Sequence, residues 1–156
     1  MTAIHELKYA QRSHLAGSLG ALLASFAQNW IGGLKGYLIM PVPLHPRRLR
    51  ARGFNQSLLL ARGVASKTGA ELDFLSLRRR KFTRPQTELS SEERKRNVRK
   101  AFEVVNPEAV KGRTILLVDD VATTGSTLNE CAKALKRAGA DSVLRGVAIH
   151  RRDETP

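Results

Sequence analysis

The stretch ILLVDDVATTGST, residues 115–127, constrains the fold of this chain more than any other. The aliphatic run at 115–118 is short, continuous and β-branched in part, and with Thr114 before it residues 114–118 read as a buried strand. Two adjacent carboxylates, Asp119 and Asp120, follow it. Next come Ala122, Thr123, Thr124, Gly125, Ser126 and Thr127, all small or hydroxyl-bearing. Residues 126–138 then carry helical spacing, with Lys136 and Arg137 in the last turn and Gly139 as a stop. A strand, a small-residue turn and a helix make the repeating unit of an α/β fold with a mostly parallel sheet. Ligands of such sheets bind at the carboxyl ends of the strands, where the two aspartates stand.

The turn itself suggests a ligand. A helix N-terminus presents free N–H groups and a partial positive charge. Small residues let the backbone wrap closely around a phosphate, Gly125 is free to take positive φ, and the hydroxyls add donors. Carboxylates repel phosphate but accept hydrogen bonds from sugar hydroxyls. A vicinal diol at Asp119 and Asp120 with a phosphate at 122–127 describes a ribose 5-phosphate. Three other readings compete. The turn could be only a capped helix start. The aspartates could hold a metal, as in a receiver or phosphatase site, although the hydroxyl-rich turn then has no purpose. They could be the magnesium aspartates of a P-loop ATPase, but no G-x-x-x-x-G-K-[ST] stretch is present.

The rest of the chain alternates in the same way. Residues 37–40 read as a strand, and Pro41, Pro43 and Pro46 make the following PVPLHP a stiff loop. Asn55 is placed to cap a helix reaching about residue 67, stopped by Gly69. Residues 71–75 read as extended. Ser90 and Glu93 form a capping-box pattern for a helix at 91–98. Residues 102–105 read as an edge strand and 143–149 as another strand. The fold class is therefore α/β, and 156 residues suit one domain, residues 1–156.

Residues 13–34 carry no Asp, Glu, Lys or Arg, a length that suits a membrane span. Their large apolar residues instead fall on one helical stripe, Leu15, Leu19, Leu22, Leu23, Phe26 and Trp30, broken by polar residues and glycines. A helix docked on a sheet fits this pattern better than a span or a signal peptide, whose basic region would not hold Glu6. The single cysteine, Cys131, excludes an internal disulfide and a cysteine-based zinc site. It suits a cytoplasmic protein and reads as a small core residue.

Charge is unusual. The chain holds 27 Lys and Arg against 14 Asp and Glu, a net +13, and residues 77–100 alone carry ten Lys or Arg and three Glu. Arg47, Arg48, Arg50 and Arg52 lie just behind the PVPLHP loop. Such clustering points to phosphate ligands or nucleic acid. Candidates for a nucleic-acid backbone are Arg78, Arg79, Arg80, Arg94, Lys95 and Arg96, with Phe82 the one aromatic in the run. The competing view of the cluster is a solvated helix face plus substrate-site arginines.

ILLVDDVATTGST resembles the phosphoribosyl pyrophosphate (PRPP) signature of type I phosphoribosyltransferases. VPLHPRRLRARGFNQ (42–56) and RPQTELSSEERKRNVRKAF (84–102) resemble the ComF/GntX-like branch, and KYAQRSHLA (8–16) fits its first helical region. The resemblance implies a type I phosphoribosyltransferase fold, a mostly parallel twisted sheet with helices on both faces. It implies ribose hydroxyls at Asp119 and Asp120, the 5-phosphate at Ala122 to Thr127, and pyrophosphate at Val42, Pro43, Leu44 and His45. It implies a flexible loop at about 79–90, with Lys81, Arg84 and Gln86 as contacts. Magnesium is expected with PRPP, held by the substrate and water more than by protein. The branch is associated with DNA uptake and competence, so PRPP and DNA are the expected partners. The zinc ribbon that usually precedes the transferase part of this family needs four cysteines; this chain then represents either a trimmed or a short member. No segment resembles the hood with which salvage members read a base, so a PRPP sensor without catalysis, or a basic nucleic-acid-binding module, stands as the alternative to a transferase.

Overall fold

The computed structural model describes residues 20–25, 28–29, 32–82, 90–122 and 124–150. Four strands form a parallel sheet: β1 (Leu38–Pro41), β2 (Glu71–Leu72), β5 (Thr114–Ala122) and β6 (Ser142–His150), in the order β2-β1-β5-β6. A separate antiparallel pair joins β3 (Leu77–Arg79) to β4 (Phe102–Val104). The helices are α1 (Pro46–Arg52), α2 (Gln56–Thr68), α3 (Ser91–Val98) and α4 (Ser126–Arg137).

Alternation along the two central strands divides the core between the faces of the sheet. On one face Leu38, Met40, Ile115 and Leu117 pack with Val98 of α3, Phe102 of β4, and Leu128, Cys131, Ala134 and Leu135 of α4. On the other, Ile39, Leu116 and Val118 meet Leu60, Ala61 and Val64 of α2, with Ala24 and Leu34. Helices therefore cover both faces. Helical residues 20–25 dock on α2 at a backbone-to-backbone crossing. A Cβ on Gly20 would lie 2.8 Å from the Gly63 Cα, closer than packing allows. Cys131 is a buried core residue, as its helix position implies. No helix among the described residues is long and apolar enough to cross a membrane.

Local signals set several boundaries. Asn55 caps α2 by accepting from the Ser57 amide, and Gly69 closes it at φ 68°. Ser90 and Glu93 complete a reciprocal capping box on α3. Gly139 follows α4 at φ 94°.

Four sequence-based boundaries shift. The strand expected at 114–118 runs on through both aspartates, because β6 is equally long and pairs with it as far as Ala122 and His150. Pro46 does not prolong a loop but opens α1, where its missing N–H costs nothing and its fixed φ suits the first helical position. Pro41 ends an interior strand. Ile39, two residues earlier on the same edge, accepts from Asp73, where β2 has already ended. The absent N–H of Pro41 thus faces no ladder partner. The basic run also contains a strand, β3, since Leu77 and Arg79 both turn inward.

Candidate ribose-phosphate and diphosphate site

The parallel register fixes the site. Pro41 pairs with Val118, and the Val42 amide donates to the Val118 carbonyl at 2.8 Å. The chain leaving β1 and the aspartates of β5 therefore share one sheet edge. Asp119 is buried, 8% exposed, and Asp120 is half-buried. Asp119 Oδ1 accepts from Ser57 Oγ at 2.9 Å and from the Asp120 amide at 2.9 Å. Burial pushes the Asp119 carboxyl up to about 8. The neighbouring charge of Asp120 and a hydrogen bond between the two carboxyls add to the rise, while the Ser57 hydroxyl and the Asp120 amide oppose it. The two carboxyls stand side by side at this edge, where their oxygens can accept hydrogen bonds from hydroxyl groups.

Past Ala122 the chain turns into α4. Gly125 stands at the N-cap with φ 68°, a backbone state that L-residues seldom take, and no side chain caps the helix from that position. Thr124 Oγ1 and Ser126 Oγ lie 2.6 Å apart, and the Ser126 amide reaches Thr124 Oγ1 at 3.4 Å. Ala122 and Ser126 are buried; Thr124, Gly125 and Thr127 are half-buried. Thr123 lies outside the described residues. The first intrahelical bond of α4 runs from the Asn129 amide to the Gly125 carbonyl at 2.9 Å.

The second wall is the turn Val42, Pro43, Leu44, His45. Val42 is buried and its carbonyl accepts from Asn55 Nδ2 at 3.1 Å. His45 Nδ1 accepts from the Arg47 amide at 3.2 Å, capping α1. Its ring meets the edge of Phe82 at 5.2 Å between centroids, so the end of the β3 segment lies against this turn. Lys81 is exposed there; Arg84 and Gln86 lie outside the described residues.

Sequence reasoning missed the support behind both walls. Asn55, Gln56 and Ser57 open α2 and each serves the site: Asn55 ties down Val42, Ser57 holds Asp119, and Gln56 Oε1 accepts from Arg52 Nη1 at 3.0 Å. Only the capping role of Asn55 was legible, because hydrogen bonds across 62 positions leave no local pattern.

The basic candidates separate. Arg79 is 7% exposed with its guanidinium over the Phe102 ring, withdrawn from any external polyanion, and burial lowers its pKa. Alternation along β3 demands this: Leu77 and Arg79 share the inner face while Arg78 is exposed. Arg80 pairs with Glu103 at 3.0 Å, and Arg96 with Glu92 at 3.7 Å. Lys95 is exposed; Arg94 lies on α3.

The sequence matches the phosphoribosyl transferase domain family over residues 55–156. The DNA utilization protein YhgH of Salmonella typhimurium is 41% identical over 143 residues, covering 90% of this chain and 62% of that protein. Competence protein F of Haemophilus influenzae is 39% identical over 110 residues, 67% of this chain and 46% of its own. The chain thus spans less than two thirds of the length of these curated relatives. The glutamine phosphoribosylpyrophosphate (PRPP) amidotransferase from B. subtilis shares the fold, with a TM-score of 0.57 at 22% identity over 85% of this chain and 26% of that one. With the family match covering both the aspartates and the helix mouth, the chain belongs to the phosphoribosyl transferase domain family, alongside its ComF-like members.

Proposed function

We propose that the chain binds PRPP with magnesium and serves a ComF-type role in DNA uptake as a phosphoribosyltransferase. The observation that carries this reading is the meeting of three features at one sheet edge. These are the Asp119–Asp120 pair, the open mouth of α4 behind Gly125, and the Val42–His45 turn. Ribose hydroxyls engage Asp119 and Asp120. The 5-phosphate takes the amides of α4 and the hydroxyls of Thr124, Ser126 and Thr127. The diphosphate lies along residues 42–45, with Arg47 and Arg48 behind it.

A magnesium ion would be held by the diphosphate, the ribose hydroxyls and its own waters, since this ion keeps waters and takes few protein ligands. When bound, it would neutralise charge on the departing pyrophosphate. The work left to the chain is orientation and electrostatic complement: fixing both ends of the sugar while positive charge develops at its anomeric carbon. The acceptor is open, and a PRPP sensor without catalysis, or a basic nucleic-acid-binding module, is the second form of this proposal.

Titration calorimetry with PRPP and magnesium tests it, with ribose 5-phosphate and pyrophosphate as controls. Tight PRPP binding that each half-ligand partly reproduces is expected; no binding by any of the three ends the reading. Pyrophosphate release against a panel of bases then divides transferase from sensor.

A DNA contact is supported by the net +13, by exposed Arg78, Lys81, Lys95, Arg99 and Lys100, and by the names of the relatives. Its affinity should fall steeply between low and high salt, because backbone binding releases counterions. A flat salt response would remove it.

A further inference from the structure

We propose that the outer edge of β6, together with the basic groove between β6 and α4, receives an extended acidic segment of a partner protein as an added strand. The two edges of the parallel sheet differ. At one edge β2 is two residues long, and such short strands leave little to pair with. At the other, β6 is nine residues long and pairs with β5 on its inner side, and no strand among the described residues pairs with its outer side. A long edge offers a row of backbone donors and acceptors to an incoming strand. Beside it runs a groove of about 380 Å³ lined by Asn129, Ala132, Lys133, Lys136, Val143 and Arg145. Ala132 and Val143 are half-buried, whereas Lys133, Lys136 and Arg145 are exposed, so an apolar floor has cationic walls.

Charge selects the occupant. Lys133 donates to Glu130 at 2.8 Å, Arg145 to the Asn129 side chain and Lys136 to the Asp141 carbonyl, so all three cations are tethered beside the groove. The Lys133 side chain stays 64% exposed, while that of Glu130 is 12% exposed and also accepts from the Lys100 amide. The outward charge is therefore positive. Exposed charge on an edge keeps neutral and basic strands away, and two copies of this chain would bring two such rows of cations together. An acidic strand meets no such barrier. Alternation sets the pattern that strand needs. Val143 packs on the α4 side of the sheet and Arg145 bonds to α4, whereas Leu144 between them packs on the opposite face. Residues of an added strand alternate in the same way. Acidic side chains at every second position, about 7 Å apart, then face Lys133, Lys136 and Arg145, and apolar ones between them extend the Leu144 face.

The test titrates the full chain with a ten-residue peptide that alternates glutamate and valine. Controls are the same residues in two blocks, a lysine–valine alternation and a single-stranded oligonucleotide. The alternating acidic peptide should bind and the two peptide controls should not. Lys133→Gln, Lys136→Gln and Arg145→Gln should each weaken it about two- to fivefold, the worth of an exposed ion pair. Strand addition has its own signature, because only alternate amides of an added strand face its neighbour. Methylating the amide nitrogens of the glutamates, or instead those of the valines, should abolish binding in one case and leave it in the other. Equal effects of the two methylated sets overturn the proposal, as does equal affinity for the blocked peptide. Tighter binding of the oligonucleotide at the same three side chains also overturns it and makes the groove a phosphate-backbone contact. Val143 and Arg145 pair with Ile115 and Leu117, short of the aspartates at the carboxyl end of β5. PRPP affinity should therefore be the same in all three variants, and a loss there would assign the groove to the sugar-phosphate site instead.

Discussion

Two turns leave neighbouring parallel strands at the same sheet edge, yet they are built by different means. The β5–α4 turn is made from its own sequence: two acids, small residues, a glycine at φ 68° and a helix mouth, all within residues 119–127. The β1–α1 turn owes its shape to distant residues. Its Val42 amide is held by Val118, its Val42 carbonyl by Asn55, and its His45 ring by Phe82. The difference teaches where binding precision comes from. A turn made of its own backbone is encoded locally; a turn held by distant side chains is only as precise as the tertiary contacts that brace it.

The largest expected effect lies in the first turn and depends on pH. The Asp119 carboxyl sits at about 8 in the fold, against an ordinary value of 3.8. The folded protein therefore holds a proton that the unfolded chain releases, and this group favours the fold at acid pH. That advantage is present in full below about 4 and is lost as pH rises towards about 8. Denaturant midpoints measured from pH 4.5 to 9 should fall across this window. Asp119→Asn, whose amide oxygen keeps the Ser57 and Asp120 bonds, should flatten the slope. A slope unchanged by Asp119→Asn would mean that the locally built turn stores no such proton.

The same contrast explains what the sequence made legible. ILLVDDVATTGST declares strand, acids, cradle and helix because its chemistry is consecutive, and the α/β class and the helix caps at Asn55, Ser90 and Gly69 follow from equally local signals. Ser57, Phe82 and the inner face of Arg79 were not legible. Ser57 is one serine in an unremarkable helix start until the fold sets it 2.9 Å from Asp119. Arg79 sits in a run of three arginines whose charge outweighs any hint of a strand, and only its pairing with Phe102 reveals the alternation. Pro46 and Pro41 show the converse: proline forbids little at a helix's first residue or where the facing strand has ended.

The next effect sharpens the comparison through the ligand. Asp119→Asn and Asp120→Asn should each weaken PRPP binding, the former by about 0.5–1.5 kcal/mol, the worth of a hydrogen bond between neutral groups, because burial keeps the Asp119 carboxyl protonated. Calorimetry at constant fold is the measurement. Pyrophosphate alone should bind both variants as it binds the parent, since it uses the other turn. Equal losses for PRPP and pyrophosphate would show that the two walls act as one rather than separately.

Asn55→Ala probes the braced turn, with an expected stability loss of about 1 kcal/mol from the cap. Its consequence for binding should exceed that of an ordinary helix cap, because the Val42 carbonyl loses its Nδ2 partner too. Pyrophosphate affinity should fall more than ribose 5-phosphate affinity. Asn55→Ser separates the roles: a serine restores the cap to Ser57 but is too short to reproduce the 3.1 Å bond from Nδ2 to Val42. Stability should recover while pyrophosphate binding stays weak.

The smallest effect is expected at Gly125, and it tests the claim that the first turn needs nothing beyond its own backbone. A Cβ built on Gly125 meets no atom within 4 Å, so substitution creates no clash. Any cost of Gly125→Ala comes from holding an L-residue at φ 68°, on the order of 1 kcal/mol. That cost should be separable from binding. If the turn keeps its shape, stability drops by about this amount and ribose 5-phosphate affinity changes little. If the alanine relaxes to negative φ, the helix mouth rotates away and ribose 5-phosphate affinity falls while pyrophosphate affinity holds. A loss shared by both ligands would contradict a locally encoded cradle, because it would mean that strain at Gly125 reaches the wall braced by Asn55 and Phe82.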